Sequence, residues 1–289
     1  MPLFTPVSGY QAAPIKAANL LASAAPQPEG ENVHWQEGFV WRSELCPEFE
    51  VLDPCESPTT YGTDDMTRGG LVYHVPAGYR VRDYATTLNV SYDLDRVTRQ
   101  AEAVVSSVAA GELWTGAVTA ANPYALPPNT VVLNPSPSAG EYTNPYLAAS
   151  TSTTITAVTD PMEALGLLEE KARQQIGGMQ CFLHVPTRIA TQLGAQLRRV
   201  GNLLYTQTDA IVVADPGYPG TGPDGTDPTS PGTWCYATGP VTLRLGNVVA
   251  TEEPVSATIN RQTNIREVWA DRMFAATFDP CCHFAIMID

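Results

Sequence analysis

The stretch from Asp160 to Ala214 constrains the fold most, because it switches twice between a helical and an extended periodicity. Asp160 stands as an N-cap, Pro161 takes the first helical position and Glu163 follows three residues after the cap. That is a capping-box arrangement, which satisfies the orphan N–H groups of a helix start. "MEALGLLEEKARQQI" continues the helix until Gly177-Gly178 stops it. "CFLHV" then reads as a buried strand. Pro186 opens a further helix with Ile189, Leu193, Leu197 and Val200 on one face, and "AIVVA" (210–214) is a second strand. Helix, strand, helix, strand in so short a span predicts a small α/β unit.

Upstream, "DLDRVTRQAEAVVSSVAAGELWTG" places Val97, Ala101, Val104, Val105 and Val108 at three- and four-residue spacing, which predicts a long amphipathic helix ending near Gly111 or Gly116. Before it, "DPCESPTTYGTDD" separates two aromatic, β-branched runs, the second being "GGLVYHVPAGYRVRDY". This pattern predicts a long two-stranded excursion over residues 36–90. Residues 1–35 carry Pro6, Pro14, Pro26 and Pro28 among small residues and read as an arm that needs a partner surface. Residues 117–158 are rich in Pro, Asn, Ser and Thr, with "NTVVL" and "TTITAVT" as candidate strands. Toward the carboxyl end, "GPVTLRLG" alternates Val241, Leu243 and Leu245 inward with Thr242 and Arg244 outward. The segment 264–278 and the terminal "HFAIMID" are expected to pair with each other.

Charge narrows the function. Thirty acidic and sixteen basic residues leave a net charge of −14, which opposes a general affinity for phosphate backbones. Only Lys16 and Lys171 are lysines, so most positive charge is arginine, the residue suited to bidentate pairing across protein interfaces. Arg80 and Arg82, together with Trp35, Phe39 and Trp41 in regions with little local core, are the candidate assembly contacts. The start of the chain shows no charged leader followed by an apolar core, and no run approaches ~18 apolar residues, so neither secretion nor a membrane span is expected.

Motifs that would carry chemistry each have a plainer reading. "GTGPDG" (220–225) matches a dinucleotide fingerprint on paper, but prolines and aspartates stand where a strand and a helix should be. Asp215, Asp224 and Asp227 could hold calcium in an acidic loop. Their spacing fits no calcium loop, and a solvated, exposed loop is the simpler expectation. Cys281, Cys282 and His283 could offer a nucleophile and base, or metal ligands joined by Cys235 and His184. Neighbours on a strand point to opposite faces, however, which favours buried packing for these thiols. Cys46 and Cys55 are near enough in sequence to bridge, although reduced thiols are the default in a cytosolic protein. His34, His74 and His184 read as satisfied or exposed. No Gly-x-Ser-x-Gly, Walker or His-Glu-x-x-His motif occurs, so no catalytic residue, metal site or cofactor is expected.

The element order is arm, two-stranded excursion, long helix closing on "GELWTG", α/β unit, then returning strands. It resembles the Hong Kong 97-like major capsid proteins of tailed bacteriophages and the encapsulin shells that share their fold. "RQAEAVVSSVAAGELWTGAV" is similar to the end of that family's spine helix, and "DPMEALGLLEEKARQQIGGMQCFLHVPTRIATQL" to its axial helix, strand and following helix. "YATGPVTLRL" and "NIREVWADRMFAATFDPCCHFAIMID" are similar to the closing strands, the latter to actinobacteriophage capsid proteins.

The resemblance implies an α+β fold with an N-arm (1–35), an E-loop (36–90), and a peripheral domain (91–158 and 246–289) whose spine helix covers 93–111. An axial α/β domain (159–245) completes it. It implies a shell subunit in hexamers and pentamers around double-stranded DNA, located in the virion and assembled in the bacterial cytoplasm, with scaffold, portal and cement proteins as possible partners. Connector or tail proteins and encapsulin-type shells are the alternatives, and a cysteine-dependent enzyme the remote one. Some relatives crosslink through an E-loop lysine. Residues 36–90 contain none, so a non-crosslinked shell is expected.

Overall fold

The computed structural model describes residues 18–24, 26–28, 39–42, 71–74, 76–86, 90–117, 145–225, 232–252 and 265–289. Trp35, His34, Cys46, Cys55 and the "NTVVL" segment lie outside them.

A single helical turn, α1 (Leu20–Ser23), comes first, then the short strands β1 (Gln27–Pro28), β2 (Phe39–Arg42) and β3 (Leu71–His74). The ten-residue β4 (Ala77–Thr86) leads into the long helix α2 (Val90–Thr115). After β5 (Thr153–Val158) come α3 (Pro161–Gln175), β6 (Phe182–Pro186), α4 (Thr187–Leu193), β7 (Arg198–Val200), β8 (Leu203–Tyr205) and β9 (Ile211–Asp215). Five strands close the chain: β10 (Thr233–Thr238), β11 (Val241–Leu245), β12 (Val249–Glu252), β13 (Ile265–Phe278) and β14 (His283–Ile288).

The helix starts follow the sequence. Asp160 has an extended backbone and its carboxylate accepts the Met162 N–H at 3.0 Å, so α3 begins where the cap predicts. The expected third helix is cut short. Gly194 takes a positive φ of 41° after Leu193, a 3-10 turn follows, and residues 198–200 become the edge strand β7. Leu197 stays buried, but Val200 is 52% exposed instead of continuing the apolar face. In α2 the same periodicity holds for Val97, Ala101 and Val105, while Val104 sits at the border with 38% exposure.

Seven strands form one mixed sheet in the order β5-β14-β10-β6-β9-β8-β7. In its central strands alternate residues enter two different cores. Phe182, Ile211, Val213, Tyr236 and Ala285 join Val105, Ala109, Leu113 and Trp114 of α2. Leu183, Val185, Val212, Cys235, Phe284, Ile286 and Ile288 join Leu165, Leu168 and Ala172 of α3 and Ile189 and Leu193 of α4. A sheet covered on both faces needs apolar side chains at nearly every position, which is why β6 is buried throughout. Each fully buried leucine contributes about 2 kcal/mol.

The second sheet is built on β13. Ten residue pairs join it antiparallel to β4, from Ile265–Thr86 to Phe274–Ala77, and it also pairs with β11 and β12. The alternation expected in β11 is present, with Val241, Leu243 and Leu245 buried. β1 adds a parallel pairing to β11, and β2 with β3 forms a separate two-stranded ladder. β13 and β14 do not pair with each other as expected. β14 runs antiparallel to β10 and parallel to β5, so the terminal strand belongs to the seven-stranded sheet.

Candidate functional site

The best-built polar region is the joint between α2 and the loop that follows β9. Asp215, at the end of β9, is fully buried. Its Oδ2 accepts the Ser106 hydroxyl at 2.6 Å and the Leu20 N–H at 3.1 Å, and its Oδ1 accepts the Gly217 N–H at 2.9 Å. Gly217 packs so closely on the Ser107 carbonyl that no Cβ fits. Further along α2, the Trp114 indole N–H reaches the carbonyl and the hydroxyl of Thr221 at 3.0 and 3.1 Å, and its ring lies 4.9 Å from both Tyr218 and Tyr236. Tyr218 and part of the loop behind it therefore pack inward, contrary to the expectation of an exposed acidic loop. Asp215 is a structural acceptor, and among the described residues no cluster of metal-binding side chains occurs.

His184 extends this network. It lies 2.8 Å from the Tyr218 hydroxyl through Nδ1 and 2.9 Å from Thr238 Oγ1 through Nε2. Thr238 donates its own proton to the Gly239 carbonyl, so it accepts from Nε2–H and leaves Nδ1 to accept from Tyr218. Burial, with a further contribution from His283, pushes the His184 pKa down to about 3, and burial lowers His283 to about 4. His74 is also buried, with neither ring nitrogen hydrogen-bonded, and its pKa falls to about 4 for the same reason. His74 is thus neither satisfied nor exposed, the two states the sequence suggested.

The candidate assembly residues fall into separate places. Arg80, on β4, makes a bidentate pair with Asp271 of β13 at 2.6 and 2.7 Å, and its guanidinium lies 5.1 Å from the Trp269 ring. Arg82 stands 3.5 Å from Glu267 on the same ladder. Phe39, on β2, packs under the Arg244 guanidinium at 4.9 Å, and Trp41 pairs with Val72 across β2 and β3. The two arginines are exposed and held by neighbours within the chain.

No family model matches the sequence, and no curated protein matches it. Solved structures match along the whole chain. A chain from Mycobacterium phage Ogopogo superposes with a TM-score of 0.56 at 11% identity, covering 100% of this chain and 97% of that one. A chain from the capsid of an empty GTA particle gives 0.52 at 10% identity, with 99% and 95% covered. The cyanophage Pam1 capsid gives 0.51 at 11% identity, with 100% and 96% covered.

The chain has a Hong Kong 97-like capsid fold. Within this capsid fold the carboxyl-terminal thiols divide. Cys282 is free and buried against α3, its Sγ 3.8 Å from the Ala172 carbonyl, and burial pushes its pKa up to about 12. His283 packs on the opposite side against Phe278 and Tyr236 and lies 2.8 Å from the Leu147 carbonyl, so the two cannot act as nucleophile and base. Cys281, expected to be a buried reduced thiol, is half-buried and disulfide-bonded. Cys181, Cys235 and Cys282 are free, so its partner is none of these. Sequence reasoning missed Asp215 as a keystone of the capsid fold. The only available signal was its position directly after the apolar run "AIVVA".

Proposed function

We propose that this chain is the major capsid protein of a tailed bacteriophage, building an icosahedral head from hexamers and pentamers around double-stranded DNA. One observation supports the reading above all others: nearly the whole chain superposes on a cyanophage capsid chain and on a GTA-particle capsid chain and covers nearly all of their length. A net charge of −14 suits a container wall that must not adhere to its genome. The chain acts as a structural protein in the virion, with no catalytic step of its own. It is assembled in the host cytoplasm with copies of itself, and scaffold, portal and cement proteins are its further partners.

In this reading residues 1–35 serve as the N-arm and 36–90 as the E-loop. Residues 91–158 with 246–289 form the peripheral part and 159–245 the axial part, with the adjustment that β5 and β14 share the axial sheet. Trp35, Phe39, Trp41, Arg80 and Arg82 contribute to contacts between copies. The absence of lysine from residues 36–90 supports a shell without lysine crosslinks.

Because one fold hosts many functions, assembly itself is the test. Electron microscopy of the purified chain, alone and with its scaffold, is expected to show closed polyhedral shells or six-fold capsomers that dissolve to monomer in reducing denaturing gels. A single ring of fixed number would point to a connector instead, and a monomer under all conditions would refute the capsid reading.

A further inference from the structure

Residues 18–24 are keyed into the body of the subunit. The first N–H groups of a helical turn have no partner within the turn, and here each is met from a different source. Leu20 N–H goes to Asp215, Leu21 N–H to Ser106 Oγ at 3.2 Å, and Ala22 N–H to Asn19 Oδ1 at 2.8 Å. Ahead of the turn, Ala18 donates to the Asn202 carbonyl at 2.7 Å and accepts from the Ala214 N–H at 2.6 Å. To do so it adopts a left-handed φ of 59°, a conformation that costs a non-glycine residue energy and persists only when its surroundings enforce it. The Leu20 side chain is fully buried in the same core as Val105 and Ala109 of α2.

We propose that Asp215 is a clasp: its carboxylate ties the amino-terminal segment, α2 and the turn after β9 into one joint, and so fixes the seat of residues 18–24 and the set of the seven-stranded sheet on α2. The carboxylate chemistry is specific to this task. Asp215 receives three donors from three parts of the chain, spread over both oxygens. An asparagine has a single acceptor oxygen, and its NH2 would face a donor. Removing the clasp frees the first turn while the apolar cores persist, so the subunit stays folded with its amino-terminal segment unseated. The consequence for shell building rests on the capsid reading, since uniform shells need every copy to present its parts at one angle.

The test is hydrogen exchange and electron microscopy of full-length wild type, Asp215→Asn and Ser106→Ala. In Asp215→Asn, amides of residues 20–22 are expected to exchange about tenfold faster or more, while β10 and β14 keep wild-type protection. Its particles are expected to become open or mixed in size. Ser106→Ala leaves two of the three donors to Asp215 in place but also takes away the acceptor of the Leu21 N–H. Its exchange is therefore read at Leu20 and Ala22, where it and the particle form are expected to move less, in the same direction. Wild-type protection of residues 20–22 in Asp215→Asn overturns the clasp. Uniform shells from a variant whose segment exchanges freely overturn the consequence for shell building. If Asp215→Asn does not fold, Ser106→Ala decides, and wild-type behaviour there overturns the proposal. A wild-type chain that builds no shell under any condition defeats the capsid reading instead, while the exchange arm still judges the clasp.

Discussion

The Tyr218 hydroxyl and His184 Nδ1 meet at 2.8 Å between two buried side chains. Tyr218→Phe keeps the ring that packs on Trp114 but strands Nδ1 without a donor. We expect a loss of about 1–2 kcal/mol, the usual cost of an orphaned buried acceptor. Thermal melting of the purified subunit measures it, and an unchanged midpoint would contradict the assigned tautomer.

Acid should weaken the fold through the histidines. His74 and His283 titrate at about 4 and His184 at about 3 in the folded chain, against an ordinary value near 6.5. The unfolded chain therefore binds protons first. Stability is fully present above pH ~6.5 and is lost as pH falls toward 4, and toward 3 for His184, by roughly 3 kcal/mol each for His74 and His283 and about 5 kcal/mol for His184 at the limit. Denaturant titrations at pH 7, 5.5 and 4.5 should show that slope.

His74 allows the cause to be isolated, since its ring nitrogens have no hydrogen bonds to lose. His74→Leu is expected to hold or raise stability at pH 7 and to flatten part of the acid slope. A variant weaker than wild type at pH 7 with the slope intact would show that burial is not what holds this imidazole neutral.

Arg80 and Asp271 form a geometrically good pair, yet both side chains are well exposed. Solvent screening keeps such pairs to about 1 kcal/mol or less. Arg80→Ala should thus leave the melting midpoint nearly unchanged. Any large effect on particle yield would then report contacts between copies, which sedimentation of assembled material can separate from folding.

Thiol labelling should sort the cysteines. Cys181, Cys235 and Cys282 are buried, with pKa values raised to about 11, 12 and 12, so they should react only after denaturation. Cys281 should stay unlabelled until reductant is added, and the mass of its linked peptide identifies the partner. Rapid labelling of Cys282 in the native protein would rule out the packing found for β14.

Much of this fold was legible because its information is local. The Asp160 cap, the three- and four-residue spacing in α2 and the alternation in β11 all act between residues a few positions apart, and the structure reproduces them. Phe284, Ile286 and Ile288 enter one core and Ala285 the other. The candidate site was less legible. Arg80 and Arg82 stand out by residue type alone, whereas their partners Asp271 and Glu267 come from a strand far along the chain.

The sequence by itself determined where α2, α3, β6, β9 and β11 form and which of the faces of α2 and β11 are apolar, since backbone propensity and side-chain period are properties of short windows. Only the tertiary structure decided that β14 leaves β13 for β10 and β5, that Gly194 ends α4 before Val200, and that Asp215 is buried. Prolines, glycines and aspartates have the same composition in a solvated loop and in a buried turn. What separates them is whether distant donors arrive. For Asp215 these are Ser106 and Leu20, 109 and 195 residues away, and that long-range meeting depends on the summed burial of both cores.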